Sequence, residues 1–139
     1  MQRLHFPVIA LLAAVLSPFA LAAPPGVETQ VLLRSDKSWD GTDYTAYPTT
    51  APELTVLKIS IAPDTELDWH SHPIPNAAYV LSGEITVEAK NSNAKQTLRQ
   101  GDTLAEMVNL PHRGKTGGQP AELIVFYAGS KGLPLSQKE

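Results

Sequence analysis

The most informative stretch of the sequence is residues 64–83, which read DTELDWHSHPIPNAAYVLSG. His70 and His72 are separated by one residue, and on a β-strand this spacing points both side chains to the same face. Two imidazoles on one face can reach the same ion, so the pair indicates a metal site. The alternative is a pair of surface histidines in a loop flanked by Pro73 and Pro75.

The segments around this stretch are typical of short β-strands separated by turns. Residues 54–61 (LTVLKISI) predict a long β-branched strand, and residues 76–89 predict two strands hinged at Ser82-Gly83. From Glu84 to Ala89 apolar and polar residues alternate, so Ile85, Val87 and Ala89 are expected to share a buried face. No helical periodicity stands out, which favours an all-β sandwich or closed barrel.

The two ends of the β-rich region also predict strands. Residues 30–35 (QVLLRS) are expected to open it, and residues 121–129 (AELIVFYAG) are apolar on both faces, as in a strand between two packed layers. The chain after Gly129 is expected to be loose or to cover a sheet edge. We expect a single domain over residues 23–139 with a β core at about 29–129.

The first residues predict a secretory signal peptide. Arg3 supplies the positive charge, residues 8–16 (VIALLAAVL) form an apolar run, and residues 20–22 (ALA) form a small-residue cleavage site. The apolar run is too short to span a bilayer. We therefore expect cleavage after Ala22 and a secreted or periplasmic protein without a membrane anchor.

The composition excludes several kinds of partner and chemistry. Removing residues 1–22 leaves 10 Lys+Arg against 14 Asp+Glu, a formal charge of −4. No basic stripe is present for nucleic acid, and no polybasic patch for anionic lipid. The chain has no cysteine, which excludes disulfides and thiolate catalysis. The expected partner is a small molecule.

The spacing of the histidines resembles the first motif of the cupin superfamily, whose members are small metal-binding β-barrels of the jelly-roll type (double-stranded β-helix). That motif reads G-x5-H-x-H-x3,4-E-x6-G. His70, His72 and Gly83 match it. Asp64 stands at the position of the opening glycine, and Asn76 at the position of the glutamate.

A second stretch, residues 101–116, is similar to the second cupin motif, G-x5-P-x-G-x2-H-x3-N. Gly101 and His112 match its first glycine and its histidine. Met107, Asn109 and Thr116 replace its proline, second glycine and asparagine. The three histidines that remain after cleavage at Ala22 thus all fall on the ligand positions of the resembled family.

The resemblance implies that His70, His72 and His112 bind one divalent transition metal. Asn76 occupies the fourth, usually glutamate, position, where a neutral carbonyl oxygen is a weak ligand. Iron, zinc, nickel, cobalt and copper all suit such a set, so the sequence leaves the identity of the metal undetermined.

Three functions stay open from the sequence. The first is an oxygenase or lyase that acts on a small anionic or chelating molecule, similar to the three-histidine cupin dioxygenases. The second is a non-catalytic module that binds a small molecule or a metal ion, and the third is a cupin whose ion only braces the fold. The resemblance also raises homodimerisation through the outer sheet or the N-terminal strand.

Five other residues are weaker candidates. Glu106 can act as a base or a replacement ligand if its strand is regular, although a solvated strand acid is the commoner case. Lys58 and Arg113 can bind an anionic substrate if they face the interior or its mouth; otherwise they are surface residues. Trp69 and Tyr79 neighbour the inward positions, so they are expected to point away from the pocket.

Overall fold

The structure, a computed structural model, describes residues 25–139. The predicted signal peptide and the predicted start of the domain at residue 23 lie outside these residues. The described part of the chain contains strands and no helix, and therefore none that is long and apolar enough to cross a membrane. The strands are β1 (Pro52–Ile61), β2 (His70–Ser71), β3 (Asn76–Ala89), β4 (Lys95–Arg99), β5 (Thr103–Ala105), β6 (His112–Lys115), β7 (Ala121–Ser130) and β8 (Gln137–Lys138).

These strands form one curled antiparallel sheet in the order β1-β7-β3-β6-β2-β8, with β4 and β5 also paired to β3. The predicted all-β, cupin-type fold is confirmed. The first half of β3 pairs with β5 and β7, and its second half pairs with β4 and β6. The two hinged strands predicted for residues 76–89 are thus one continuous strand, whose register shifts between Val80 and Ser82.

The backbone explains the glycine positions of the two motifs. Gly83 and Gly101 have φ angles of 77° and 93°, in the left-handed region that favours glycine. Asp64 and Asn109, which replace the other two motif glycines, have φ angles of 51° and 56°. Asp and Asn are the non-glycine residues that tolerate this region best. The sequence therefore departs from the motifs without changing the backbone conformation that they require.

The apolar face predicted for the second half of β3 is confirmed. Ile85, Val87 and Ala89 are all buried, and they face the interior of the curled sheet. The buried apolar cluster comprises Ile61, Ile74, Ala78, Val80, Ile85, Val87, Leu98, Leu104, Ala121, Leu123, Val125 and Tyr127. This interior is where the inward-facing side chains of the candidate site lie.

The strand predicted for residues 30–35 is absent, and β7, although predicted correctly as a strand, is not covered on both faces. Residues 31–35 are exposed and form no strand, and the residues of the described chain that belong to strands begin at Pro52. The apolar outer face of β7 is not covered by a second layer over its length, because Phe126 on that face is 41% exposed. Its neighbour across β1, Val56, is 63% exposed. Apolar alternation indicates that a strand has two apolar faces, but it does not show what covers each face.

The chain after Gly129 covers an edge, as one of the two expectations proposed. Its strand β8 pairs with β2, with His70 opposite Lys138 and Ser71 opposite Gln137. The hydroxyl of Ser71 also donates a hydrogen bond to the carboxylate of Glu139 at 2.6 Å. This final segment therefore holds the short strand that carries the first histidine.

Candidate metal centre

The three histidines predicted as metal ligands lie together inside the sheet. His70 on β2 is the direct cross-strand partner of His112 on β6. His72 follows two residues after His70, and its ring centroid is 5.0 Å from each of the other two. One nitrogen from each ring lies within 4.8 Å of the corresponding nitrogens of the others. This group can hold a metal ion.

Hydrogen bonds fix the orientation of all three rings. Each Nδ1 lies 2.7–2.9 Å from a backbone carbonyl oxygen, to which it donates when the ring is neutral. These carbonyls belong, for His70, His72 and His112 in turn, to Asp68, Leu135 and Leu110. With the proton on Nδ1, each Nε2 presents a lone pair, which is the form that a metal ion binds.

Burial keeps two of these imidazoles in the uncharged form. It lowers the pKa of His72 to about 4, despite the opposing effect of the Leu135 carbonyl. It also lowers the pKa of His112 from its usual value. Because only a neutral imidazole binds metal, neither ring has to lose a proton before binding an ion at neutral pH.

Glu106, which follows β5, joins the histidines in the same cavity. Its Oε2 lies 3.3 Å from Nε2 of His112, and its side chain is only 13% exposed. Burial raises the pKa of Glu106 to about 7, although the nearby His70 and the backbone of Met107 act in the opposite direction. The solvated strand acid is therefore the wrong reading of this residue, and its inward position agrees with the regular two-residue phase.

The cavity beside the histidines has a volume of about 70 Å³ and is mostly apolar. Tyr127 lines it, with a ring centroid 5.7 Å from that of His72. Burial, with a smaller effect of Glu106, raises the pKa of Tyr127 to about 12, so its hydroxyl stays protonated at neutral pH. The apolar lining includes Ile59, Leu67, Val80, Ile85, Leu98 and Val125. This space admits only a small ligand.

Asn76 lies at the start of β3 and is buried, opposite Tyr127 on β7. Its Nδ2 donates to the carbonyl of Ile74 at 3.2 Å, while its Oδ1 has no hydrogen-bond partner among the residues that the structure describes. Asn76 is not among the residues that line the histidine cavity. The carboxylate that does line the cavity is Glu106.

The two predicted substrate-binding residues lie elsewhere. Lys58 is on the outer face of β1, where it forms an ion pair with Glu122 at 2.8 Å, so the condition that its face be interior is not met. Arg113 follows His112 on β6 and points to the opposite side of the strand, where it contacts Glu88 at 2.6 Å. Lys58 is exposed and Arg113 is partly buried, and neither lines the histidine cavity, so a role in substrate binding stays a prediction for both.

Arg113 instead stacks on Trp69, with its guanidinium carbon 4.2 Å from the ring centroid. This contact confirms that Trp69 points away from the cavity. Hydrogen bonds from three basic side chains lower the pKa of Glu88 to about 2, although burial acts in the opposite direction. Lys115 has the largest effect, and Arg113 and Lys95 have smaller ones. The outer face of β3 and β6 is therefore held by charge pairing.

A larger cavity of about 580 Å³ lies between the segment 33–47 and the outer surface of β3, β5 and β7. Tyr44, Tyr47 and Phe126 line it, and none of the three histidines in the described part of the chain does. The hydroxyl of Tyr44 donates to the backbone carbonyl of Glu106 at 2.6 Å. Although this cavity is larger, the chemistry of the described residues is concentrated at the three histidines.

Sequence reasoning missed two contributors to the centre. Tyr127 was recoverable, because it shares the two-residue phase of the buried Leu123 and Val125 on β7. The carbonyl of Leu135, which accepts the hydrogen bond from His72, carries no sequence signal. Any residue supplies a backbone carbonyl, so only the path of the chain shows which one is used.

The fold and the site define a class of protein in which a curled antiparallel sheet surrounds a buried group of histidines. Residues 57–127, half of the chain, match the family model Cupin_2, described as a cupin domain. The chain belongs to the cupin family.

Solved structures share this fold at low sequence identity. The DMSP lyase DddQ from Ruegeria pomeroyi DSS-3 has a TM-score of 0.55 and 19% identity, over 61% of this chain and 42% of its own. The polyketide cyclase RemF from Streptomyces resistomycificus has a TM-score of 0.54 and 18% identity, over 65% of this chain and 62% of its own. A cupin-like protein from Thermotoga maritima msb8 has values of 0.53 and 17%, over 62% and 64%.

The chain therefore spans less than two thirds of the length of each of these structures, and the similarity concerns the fold alone. No curated protein matches the chain in sequence. The function has to be argued from the site itself.

Proposed function

We propose that this protein is an exported metal-binding cupin in which His70, His72 and His112 hold one divalent transition metal. The observation that carries the proposal is the common orientation of the rings, each with its Nδ1 at a backbone carbonyl. Three surface histidines would not share this arrangement, which is the usual way in which metal-binding imidazoles are oriented. Burial, which lowers the pKa of His72 and His112, supports the same reading.

The ion would bind a small anionic or chelating molecule at a position that the protein leaves open. A divalent ion polarises a bound ligand and lowers the pKa of bound water, which suits a lyase or an oxygenase. The residues of the chain orient the imidazoles, exclude water through the apolar lining and keep the hydroxyl of Tyr127 protonated. DMSP lyase and polyketide cyclase neighbours support small-molecule chemistry as a use of this fold.

A non-catalytic binding module is the second candidate, and the size of the cavity favours it. At about 70 Å³ the space beside the histidines is well below the range of about 300–1,000 Å³ typical of small-molecule sites. A substrate larger than a few atoms has to displace side chains to reach the ion. A protein that stores or delivers a metal ion needs no such movement.

Elemental analysis of the protein purified from its native compartment tests metal binding and identifies the ion. We expect about one equivalent of a transition metal, lost in His112→Ala; a folded wild-type protein without metal would contradict the proposal. Titrating the cobalt-substituted protein with azide then tests the open position. A change in the visible spectrum supports a ligand-binding centre, whereas an unchanged spectrum supports an ion that is closed off by protein.

Export and self-association belong to the same proposal. We expect an intact mass that corresponds to cleavage after Ala22 in protein recovered from the periplasm or medium; an uncleaved mass would contradict it.

For a homodimer, the exposed Leu54, Val56 and Phe126 offer an apolar patch on the outer face of β1 and β7. Light scattering should show a dimer that Val56→Glu converts to a monomer and that Lys90→Glu, at an exposed position after the end of β3, leaves unchanged.

A further inference from the structure

The strand register places Glu106 directly opposite the position where the cupin motif has its glutamate. Ala77 on β3 pairs with Ala105 on β5, so the next pair along these strands is Asn76 with Glu106. The amide of Glu106 donates to the carbonyl of Asn76 at 3.0 Å, which continues the pairing by one residue. Directly opposite residues in an antiparallel pair point to the same side of the sheet, with Cβ atoms about 4.5–5.5 Å apart.

Glu106 and His112 face each other inside the cavity. Oε2 of Glu106 and Nε2 of His112 lie 3.3 Å apart, both are buried, and neither has a hydrogen-bond partner within residues 25–139. Because the Nδ1 of His112 donates to the Leu110 carbonyl, its Nε2 is a bare lone pair. When Glu106 is ionised, the two atoms are buried acceptors without a donor, which is unfavourable; either a proton or a metal ion between them satisfies both.

The separation suits two ligands of one ion. Ligand atoms bound at about 2.1 Å to a tetrahedral or octahedral ion lie about 3.0–3.4 Å apart. The observed 3.3 Å is in this range. The carboxylate lies outside the group whose atoms are all within 4.8 Å of one another, so binding one ion together with His70 and His72 requires the Glu106 side chain to change rotamer.

The charge of the centre leads to the same assignment. Three neutral imidazoles leave both charges of a divalent ion uncompensated, and Asn76 adds no charge. Among the described residues that line the cavity, Glu106 is the only carboxylate. Its charge reduces the net charge of an occupied centre to +1, which lowers the cost of holding the ion in an apolar interior.

From the register and the unpaired contact we propose that Glu106 supplies the fourth ligand, from the strand next to the one where the motif places it. This inference rests on metal binding by the three histidines. The carboxylate stands at position 106, after β5, instead of at position 76 on β3. The two positions are opposite each other, so the side chain lies on the same side of the sheet.

Zinc affinity of the full chain tests this assignment. The protein is stripped with a chelator and titrated with Zn²⁺ in competition with a chromophoric chelator, and circular dichroism checks that each variant is folded. We expect Glu106→Gln to weaken zinc binding by about 100-fold. The double variant Asn76→Glu/Glu106→Gln, which returns a carboxylate to the opposite position, should recover most of the loss. Glu122→Gln, an acid on the outer face, should have no effect.

Cobalt substitution adds a spectroscopic reading. Losing a carboxylate ligand changes the visible absorption of the bound Co²⁺, so Glu106→Gln should shift the bands while the double variant returns them toward the wild-type spectrum. Glu106→Gln could instead leave both the zinc affinity and the spectrum unchanged while His112→Ala still abolishes binding. That result would overturn only the assignment of the fourth ligand, and a proton shared between Glu106 and His112 would then explain their contact. Zinc binding that is insensitive to His112→Ala would overturn both the proposed function and this assignment.

Discussion

Replacing Gly83 with alanine tests the point where β3 passes from one half of the sheet to the other. Its φ of 77° costs a residue with a Cβ about 1–2 kcal/mol. The new Cβ would also overlap the carbonyl oxygen of Pro120 and lie 3.0 Å from Cα of Ala121. These are backbone atoms that cannot rotate away, so overpacking adds about 1–3 kcal/mol. We expect Gly83→Ala to lower the free energy of unfolding by about 2–5 kcal/mol.

Gly101→Ala is the matched control. Its φ of 93° imposes a similar conformational cost, but a Cβ there meets nothing within 4 Å. Alanine also lowers the conformational entropy of the unfolded chain, which stabilises each variant by about 0.4–1 kcal/mol. This contribution is the same in both variants and cancels in the comparison. Urea unfolding followed by tryptophan fluorescence should give Gly83→Ala a free energy of unfolding about 1–3 kcal/mol below that of Gly101→Ala, seen as a lower midpoint at an unchanged m-value. Equal losses in the two variants would refute the contact with Pro120 as a source of strain.

Three other outcomes are expected. Zinc at about 100 times its dissociation constant should stabilise the protein by about 2.7 kcal/mol, measured as a melting-temperature rise that EDTA reverses and His112→Ala abolishes. Ion pairs lower the pKa of Glu88, so its carboxylate stabilises the fold fully above about pH 4.5 and loses this effect as pH falls through about 2. The unfolding midpoints of wild type and Glu88→Gln should therefore converge in acid. Asn109→Gly should be nearly neutral and Asn109→Val should cost about 1–2 kcal/mol in urea unfolding.

The sequence carries strong signals for the parts of the fold that depend on periodicity and turn chemistry. The alternation in Glu84–Ala89 places one face of β3 in the core, and the structure confirms it. The i, i+2 spacing of His70 and His72, with His112 at the motif spacing, predicts three rings that meet, and they do. Local periodicity decides such features, because the two-residue repeat of a strand orients each side chain.

Features that depend on which segment lies over which face carry no such signal. Lys58 shares a face with Leu54 and Val56, and the apolar neighbours made an interior position possible; in the structure this face is the outer one. Gln30–Ser35 has strand-like composition, but residues 31–35 pair with no strand. Glu106 lies at the right phase for the interior, yet its closeness to His112 comes from the pairing of β3 with β5 and β6. Tertiary pairing decides all three cases.

The hydrogen bond from His72 to the carbonyl of Leu135 makes the orientation of this ring depend on a late part of the chain. The two residues are 63 positions apart, so a nascent chain that has not yet been synthesised past Leu135 lacks the acceptor that orients this imidazole. Such a chain offers an incoming ion two oriented rings rather than three. Under the proposed function, an ion therefore meets three oriented rings only after the segment that contains Leu135 has docked on the sheet.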